Sequence, residues 1–303
     1  MTKIDLITGF LGAGKTTFIT QYVRLLMEQG LRVCILENDF GAVNIDRMLV
    51  EQLGCDIEMV AGGCDYDCHR RRFRTKLIAM GMLGYDRVIV EPSGIYDVDE
   101  FYDTLQEDPL DRWYTIGSVI ALVDARLPEA LSAESEYLLA SEAATAGAIV
   151  FSHCSKVPGD VLEHLNRACV GIRCRRRFTE AEARTFDGGP LSPEDLSFLT
   201  NCGYQPEAYE KQQLMDENGY DTLYLMQRAM TPQLLKERVA QLFADPAYGH
   251  VIRVKGFLKT DAGWLELNAT QEQMDLRPSA AGQEVLIVIG EELKEPAVAA
   301  LFP

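Results

Sequence analysis

The chain has 303 residues, 47% hydrophobic and 25% charged, which argues for a packed globular protein of about two domains and against disorder. Its 46 acidic residues outnumber 29 basic ones, for a net charge of −17, which argues against non-specific binding to nucleic acid or to an anionic membrane. No run approaches the roughly 20 apolar residues of a membrane span, and a strand-like run begins almost at once, so neither a signal peptide nor an anchor is expected. With eight cysteines scattered through such a composition, a cytoplasmic protein with reduced thiols, a few of them metal-bound, is expected rather than a disulfide framework.

In chain order, Ile4–Thr8 reads as a strand and Lys15–Glu28 as a helix closed by Gly30. Strands follow at Val33–Glu37 and Ile57–Val60, a helix at Arg70–Met82, and a buried strand at Arg87–Glu91. Strand Ile116–Val123, helix Leu131–Ala146 and strand Ala148–Phe151 complete the first half. Strands alternating with helices predict an α/β P-loop NTPase domain over 1–180, with a doubly wound, mainly parallel sheet. Residues 181–215 are polar, Gly- and Pro-rich and weakly periodic, and read as a connecting region. Residues 216–303 predict a smaller α+β domain with a mostly antiparallel sheet. Its elements are a strand near Leu223–Met226, helix Thr231–Phe243, strand His250–Lys259, a turn at Asp261-Ala262-Gly263, strands Trp264–Asn268 and Glu284–Ile289, and a short terminal helix. Two basic patches, His69–Lys76 and Arg173–Arg177, read as solvated faces.

Gly9-Phe10-Leu11-Gly12-Ala13-Gly14-Lys15-Thr16 satisfies G-x-x-x-x-G-K-[ST] between a strand and a helix. The glycines let successive N–H groups face phosphates, and the helix N-terminus adds its positive dipole end. On this reading Gly12, Ala13 and Gly14 cradle the phosphates and Lys15 reaches the β- and γ-phosphates. Thr16 places its hydroxyl on Mg²⁺, and Thr17 lies on the α-phosphate side. A chance match in a chain this long has a probability of about one per cent from average residue usage.

A Mg–nucleotide site also needs a carboxylate at a neighbouring strand end. Glu91, at the carboxyl end of Val88-Ile89-Val90, is placed to hold Mg²⁺ through water, and Gly94 to offer its N–H to the γ-phosphate. Glu37-Asn38-Asp39 ends the second strand on the same rim, where it suits orienting water, binding a metal, or forming a polar Asx turn. Lys15, Thr16, Glu37 and Glu91 are thus the expected catalytic set.

Gly9–Thr17, Glu37-Asn38-Asp39-Phe40-Gly41, Gly62-Gly63-Cys64 and Glu91-Pro92-Ser93-Gly94 together resemble the CobW-like P-loop GTPases, which group with the UreG and HypB metallochaperones. Arg253-Val254-Lys255-Gly256-Phe257 with Gly263-Trp264 resembles that family's C-terminal domain. The resemblance implies nucleotide hydrolysis that gates delivery of a metal, or insertion of a metal-containing cofactor. Its implied partners are a nucleotide, a transition metal such as Zn²⁺, a client metalloprotein or cofactor enzyme, and a second copy in a nucleotide-dependent homodimer.

The sequence departs from that pattern twice. The family's Cys-x-Cys-Cys element is here Cys64-Asp65-Tyr66-Asp67-Cys68-His69, with only Cys64 in register. A helical turn would put Cys64 and Cys68 on one face, with His69 or Asp67 adding a ligand suited to Zn²⁺; a free-thiol loop that has lost the metal is the equal alternative. The family's base-reading Asn-Lys-x-Asp is here Ser152-His153-Cys154-Ser155, leaving Ser152 and His153 to meet the base. Losing a charged hydrogen bond to guanine costs about 1.5–3 kcal/mol, so GTP leads ATP only slightly. Three functions remain: an NTP-hydrolysing metallochaperone, a nucleotide-binding regulator or scaffold with little turnover, and, with least support, a small-molecule kinase.

Overall fold

A computed structural model describes residues 1–10, 12–39, 54–61, 66–92, 98–211, 221–228, 230–271, 273–279, 282 and 284–302; at 38, 39, 61 and 66–68 the backbone alone is described. Contacts divide the chain into two compact units, Met1–Gln212 and Gln213–Pro303. Among the described residues the first contains seven strands: β1 (Thr2–Gly9), β2 (Val33–Asp39), β3 (Asp56–Ala61), β4 (Arg87–Pro92), β5 (Tyr114–Asp124), β6 (Ala148–Ser152) and β7 (Ala183–Phe186). They form one sheet in the order β3-β2-β4-β1-β5-β6-β7. Every neighbouring pair is parallel. β4 is buried along its length, as a strand covered on both faces must be.

The helices of this unit are α1 (Lys15–Glu28), α2 (Tyr66–Gly81), α3 (Val98–Leu105), α4 (Leu110–Trp113), α5 (Ala133–Ala144), α6 (Gly159–Gly171) and α7 (Pro193–Leu199). In α1, Phe18, Ile19, Tyr22, Val23 and Leu26 recur at helical spacing and pack in one core cluster with Ile7, Ile89 and Ile120. Ser132 caps α5 and Ser192 caps α7, each accepting the N–H three residues on.

Of the segment 181–215, expected as a connecting region, residues 181–211 fall within the first unit and 212–215 lie outside the described residues. The segment supplies β7 and α7, and Phe186, Leu191, Leu196 and Leu199 join the cluster around α1. Phe186 meets Phe18 edge-on with ring centroids 5.5 Å apart. These elements have four and seven residues, too short to establish a period, so tertiary burial rather than local pattern fixes them.

A buried ion pair lies near the amino end of the central strands. Asp5 of β1 has no exposed surface. Its carboxylate pairs with Arg87 Nε of β4 at 2.6 Å. It also accepts hydrogen bonds from Tyr22 of α1 at 2.9 Å and from the Ser118 N–H of β5 at 2.8 Å. Arg87 further donates to the Thr200 carbonyl, just beyond α7, at 2.8 Å.

The second unit contains β8 (Asp221–Met226), α8 (Pro232–Ala244), β9 (His250–Thr260), β10 (Gly263–Ala269), β11 (Met274–Ser279), β12 (Val285–Glu291) and α9 (Glu295–Leu301). Its sheet has the order β11-β10-β9-β12-β8 with every pair antiparallel. Thr260 pairs with Gly263 across the two-residue turn Asp261-Ala262. Leu235, Val239 and Leu242 of α8 pack with Val254, Leu258, Leu286 and Val288 of the sheet. The architecture is therefore the expected P-loop α/β sheet followed by a smaller α+β unit, with β11 as an edge strand the sequence pattern did not indicate.

The two basic patches engage this chain's own groups. Arg70 and Arg74 of α2 pair with Glu107, and Lys76 with Glu58. Arg176 is buried on the Ala146 carbonyl and Glu182, while Arg173 and Arg177 pair with Glu210 and Glu163. Among the described residues, no helix is long and apolar enough to cross a membrane.

Replacing Arg87 by Leu strands the Asp5 charge in a closed interior. Loss of one partner of a buried pair costs about 3–5 kcal/mol. Chemical denaturation of R87L should show a drop of that order, and the double variant D5L/R87L should recover part of it. Full additivity of the two losses would show that the groups do not act as a pair.

Candidate functional site

β1 reaches the sheet's carboxyl edge at Gly9, where φ is +143° and a Cβ would lie 2.6 Å from the Leu122 carbonyl oxygen. No side chain fits there, so the strand can turn directly into the phosphate loop. Gly12 and Gly14 continue the turn at φ +85° and +81°. Gly14 is the N-cap of α1, and among the described residues no side chain caps that helix end. The first turn of α1 thus presents N–H donors and a positive dipole end, the elements of an anion cradle.

Lys15 is buried, and its Nζ donates to the Gly9 carbonyl. The Thr16 hydroxyl donates to Glu91 Oε1 at 2.8 Å. Glu91 of β4 and Glu37 of β2 are Cα partners across the parallel ladder, so both carboxylates leave the same face of the sheet. Both are largely buried. Hence Thr16, Glu37 and Glu91 converge beside the cradle. Two carboxylates and a hydroxyl form an oxygen donor set suited to a hard cation that keeps some of its water, as Mg²⁺ does. Thr17 is exposed and Ala13 buried. Asn38 follows Glu37 on β2 and pairs with Val60 and Pro92. Gly94 lies outside the described residues.

Ser152 and His153 stand at the carboxyl end of β6. A Cβ on Gly14 would lie 3.9 Å from both Ser152 Cβ and His153 Cε1, so this rim packs against the phosphate loop. The His153 N–H donates to the Phe186 carbonyl of β7 at 2.8 Å. Two residues that sequence reasoning missed complete the rim. Asp124 ends β5 and binds the Arg126 guanidinium through both oxygens, at 3.0 and 2.7 Å. Arg126 Nη2 lies 3.0 Å, and Asp124 Oδ2 3.2 Å, from His153 Nδ1. The two contacts make opposite demands on one atom: an Nδ1 without hydrogen accepts from Arg126, whereas an Nδ1–H donates to Asp124. Burial works to raise the Asp124 carboxyl, but hydrogen bonds from His153 and Arg126 outweigh it and hold the group well below the usual carboxylate range. The available signal was an acid ending an apolar strand, the same signal that singled out Glu91.

His69 lies on α2 with no exposed surface, and its Nδ1 is 3.3 Å from Glu100 Oε1 of α3, also buried. Cys64 lies outside the described residues, and at Cys68 only the backbone is described, as part of α2. Among the described residues no three His, Cys, Asp or Glu side chains group as a metal site. Burial pushes the Cys34 and Cys169 thiols up to about 12 and Cys202 to about 11, as expected of packed, protonated cysteines.

Residues 3–180 match the family described as CobW/HypB/UreG, nucleotide-binding domain, and residues 223–303 match the cobalamin synthesis protein cobW C-terminal domain. The chain belongs to the CobW/HypB/UreG family. It is 32% identical over 130 residues to the zinc chaperone YjiA of Escherichia coli (strain K12), covering 40% of each chain. It is 30% identical over 128 residues to the zinc chaperone YeiR of the same organism, covering 42% of this chain and 39% of that one. The chain thus spans about 40% of the length of these curated relatives. Among solved structures, Zn(II)-bound YjiA GTPase from E. coli aligns over 99% of this chain and 98% of its own, with 21% identity and a TM-score of 0.38.

Gly9→Ala tests the cradle's backbone. A left-handed conformation at a non-glycine residue costs about 1–3 kcal/mol, and the overlap with the Leu122 carbonyl adds to it. Thermal unfolding should show a clear drop in Tm for G9A. An unchanged Tm would show that the turn does not need glycine.

Proposed function

We propose that this protein binds and hydrolyses GTP with Mg²⁺ and couples the nucleotide state to the delivery of Zn²⁺. The observation that carries the nucleotide half is the Thr16–Glu91 hydrogen bond at 2.8 Å beside an uncapped helix N-terminus. Thr16 would hold Mg²⁺ directly and Glu91 through water, with Glu37 on the adjacent strand orienting the attacking water. Mg²⁺, when bound, supplies charge neutralisation at the β- and γ-phosphates. Lys15 reaches the same oxygens, and Gly12, Ala13, Gly14 and Thr17 supply the remaining phosphate contacts. Asn38 and Gly94 are assigned to the γ-phosphate side, and Ser152 and His153 to the base.

GTP is favoured by membership of the CobW/HypB/UreG family, whose nucleotide-binding domain matches residues 3–180. Zinc is favoured by likeness to two zinc chaperones. As cargo it would be bound by Cys64, Cys68 and His69. The Glu100 carboxylate beside His69 Nδ1 supports that set, because a carboxylate on one ring nitrogen fixes the tautomer and leaves Nε2 as the ligand atom. The client is a metal-requiring protein that receives the ion when the nucleotide state changes, and the setting is the cytoplasm.

Single-turnover GTP hydrolysis tests the first half. Lys15→Ala should lower the rate by about 10²–10³-fold, the usual loss when one preorganised charge contact is removed. Turnover equal to that of the unaltered chain would refute the assignment. Zn²⁺ titration with and without a non-hydrolysable GTP analogue tests the second half. The account expects different affinities in the two states, and equal affinities would remove the coupling.

A further inference from the structure

Glu142 has no part in the chemistry above, yet it lies directly beneath the phosphate loop. It belongs to the last turn of α5, among small residues, and is 2% exposed. Its backbone carbonyl accepts the Thr8 hydroxyl at 2.9 Å, which pins α5 to the end of β1. Its carboxylate accepts the Gly9 N–H and faces the Lys15 ammonium. Its Oε2 has no hydrogen-bond partner among the described residues. Gly9 therefore gives its N–H to Glu142 and its carbonyl to Lys15, and the three residues close a cluster at the base of the cradle.

Lys15 is the charged group that faces Glu142 from the phosphate loop. β1 offers the Thr8 hydroxyl and the Gly9 N–H, and the adjoining stretch of β5, Ile120 to Val123, is apolar. From α6, His164 is bound to Glu136 at 2.6 Å, six residues earlier on α5 and so about 9 Å along the helix. Asp124 is held by Arg126 and His153. Burial raises the Glu142 carboxyl to about 8, against the opposing pull of Lys15 and of the Gly9 N–H.

An ionised Glu142 attracts Lys15 toward the base of the loop, whereas the phosphates attract it outward. One ammonium cannot fully satisfy both. When Lys15 moves to the phosphates, the carboxylate loses its cation in a water-poor interior, and the cheapest remedy is a proton from solvent on the open Oε2. We propose that Glu142 is a positioning residue that, where it is ionised, holds Lys15 at the base of the phosphate loop and takes up one proton when nucleotide draws Lys15 away. The inference rests on the reading of Lys15 as the phosphate-binding lysine.

The sign follows from linkage. The bound state has the higher Glu142 pKa, so binding takes up protons and weakens as pH rises. The effect is confined to pH values above the free protein's carboxyl pKa, about 8, because below it Glu142 is already protonated. Within that window one linked proton weakens binding by nearly tenfold per pH unit.

The test is calorimetric titration of the full chain with Mg²⁺ and a non-hydrolysable GTP analogue, at pH values from neutral to above that window. Two buffers of different protonation enthalpy are compared at each pH. Within that window the unaltered chain should take up nearly one more proton per nucleotide than Glu142→Gln, and below it no more; the affinity of Glu142→Gln should be nearly flat across the window. A merely structural role would shift affinity equally at every pH without changing the proton count. Equal proton uptake by both proteins would overturn the proposal. Glu142→Asp, which keeps a carboxylate, should retain the linkage. Should E142Q not fold, a pH-independent affinity in the unaltered chain overturns the proposal on its own. Nucleotide binding by Lys15→Ala as tight as by the unaltered chain would instead overturn the underlying reading of Lys15.

Discussion

The nucleotide-binding unit is tied together by a carboxylate with no access to water. Asp5 gathers Arg87 of β4, Tyr22 of α1 and the backbone of β5. Burial alone would push its carboxyl up, and the Arg87 guanidinium is the strongest opposing influence. Such a pair adds little net stability compared with a well-packed apolar substitute, but it is intolerant of losing one member. The groups it joins belong to the central strands and to the helix whose N-terminus forms the phosphate cradle. Geometry at the carboxyl edge is therefore inherited from a fixed arrangement at the other end of the same strands.

At that edge the local rules are simple. Gly9 is where β1 must pass against Leu122 with no room for a side chain, and Gly14 ends the loop in a left-handed conformation that leaves α1 without a side-chain cap among the described residues. The same omission that leaves a helix end unsatisfied makes it a receptor for phosphate. Parallel pairing then fixes Glu37 and Glu91 side by side, one from each strand flanking the cradle on that side. The hydroxyl of Thr16 already touches one of them.

The phosphate end of the site was legible in the sequence because it depends on backbone conformation, and Gly at fixed spacing before Lys-Thr reports backbone conformation directly. Glu91 and Glu37 were legible because an acid ending an apolar strand must face the ligand edge of an open sheet. Asp124 carries that same signal, yet its partner Arg126 lies in a loop whose path no periodicity reveals. Glu142 was hidden differently. It sits in a well-formed helix pattern, where an acid ordinarily reads as a solvent-facing residue, and only the packing of α5 against β1 turns it inward. β7 and α7 were missed because short elements take their identity from the core they cover. His69 was read as a ligand from its neighbours in sequence, and the fold adds Glu100, a partner 31 positions away that no spacing rule would find.

The central claim is that Thr16, Glu91 and the uncapped first turn of α1 form one Mg–nucleotide site. It is tested most directly by a crystal structure of the chain with a non-hydrolysable GTP analogue and Mn²⁺ in place of Mg²⁺, the ion located by anomalous scattering. The account predicts an ion at about 2.1 Å from Thr16 Oγ1, with Glu91 reaching it through water and Lys15 Nζ moved from the Gly9 carbonyl to the phosphates. An ion or phosphate group bound elsewhere, with Lys15 still on Gly9, would contradict it.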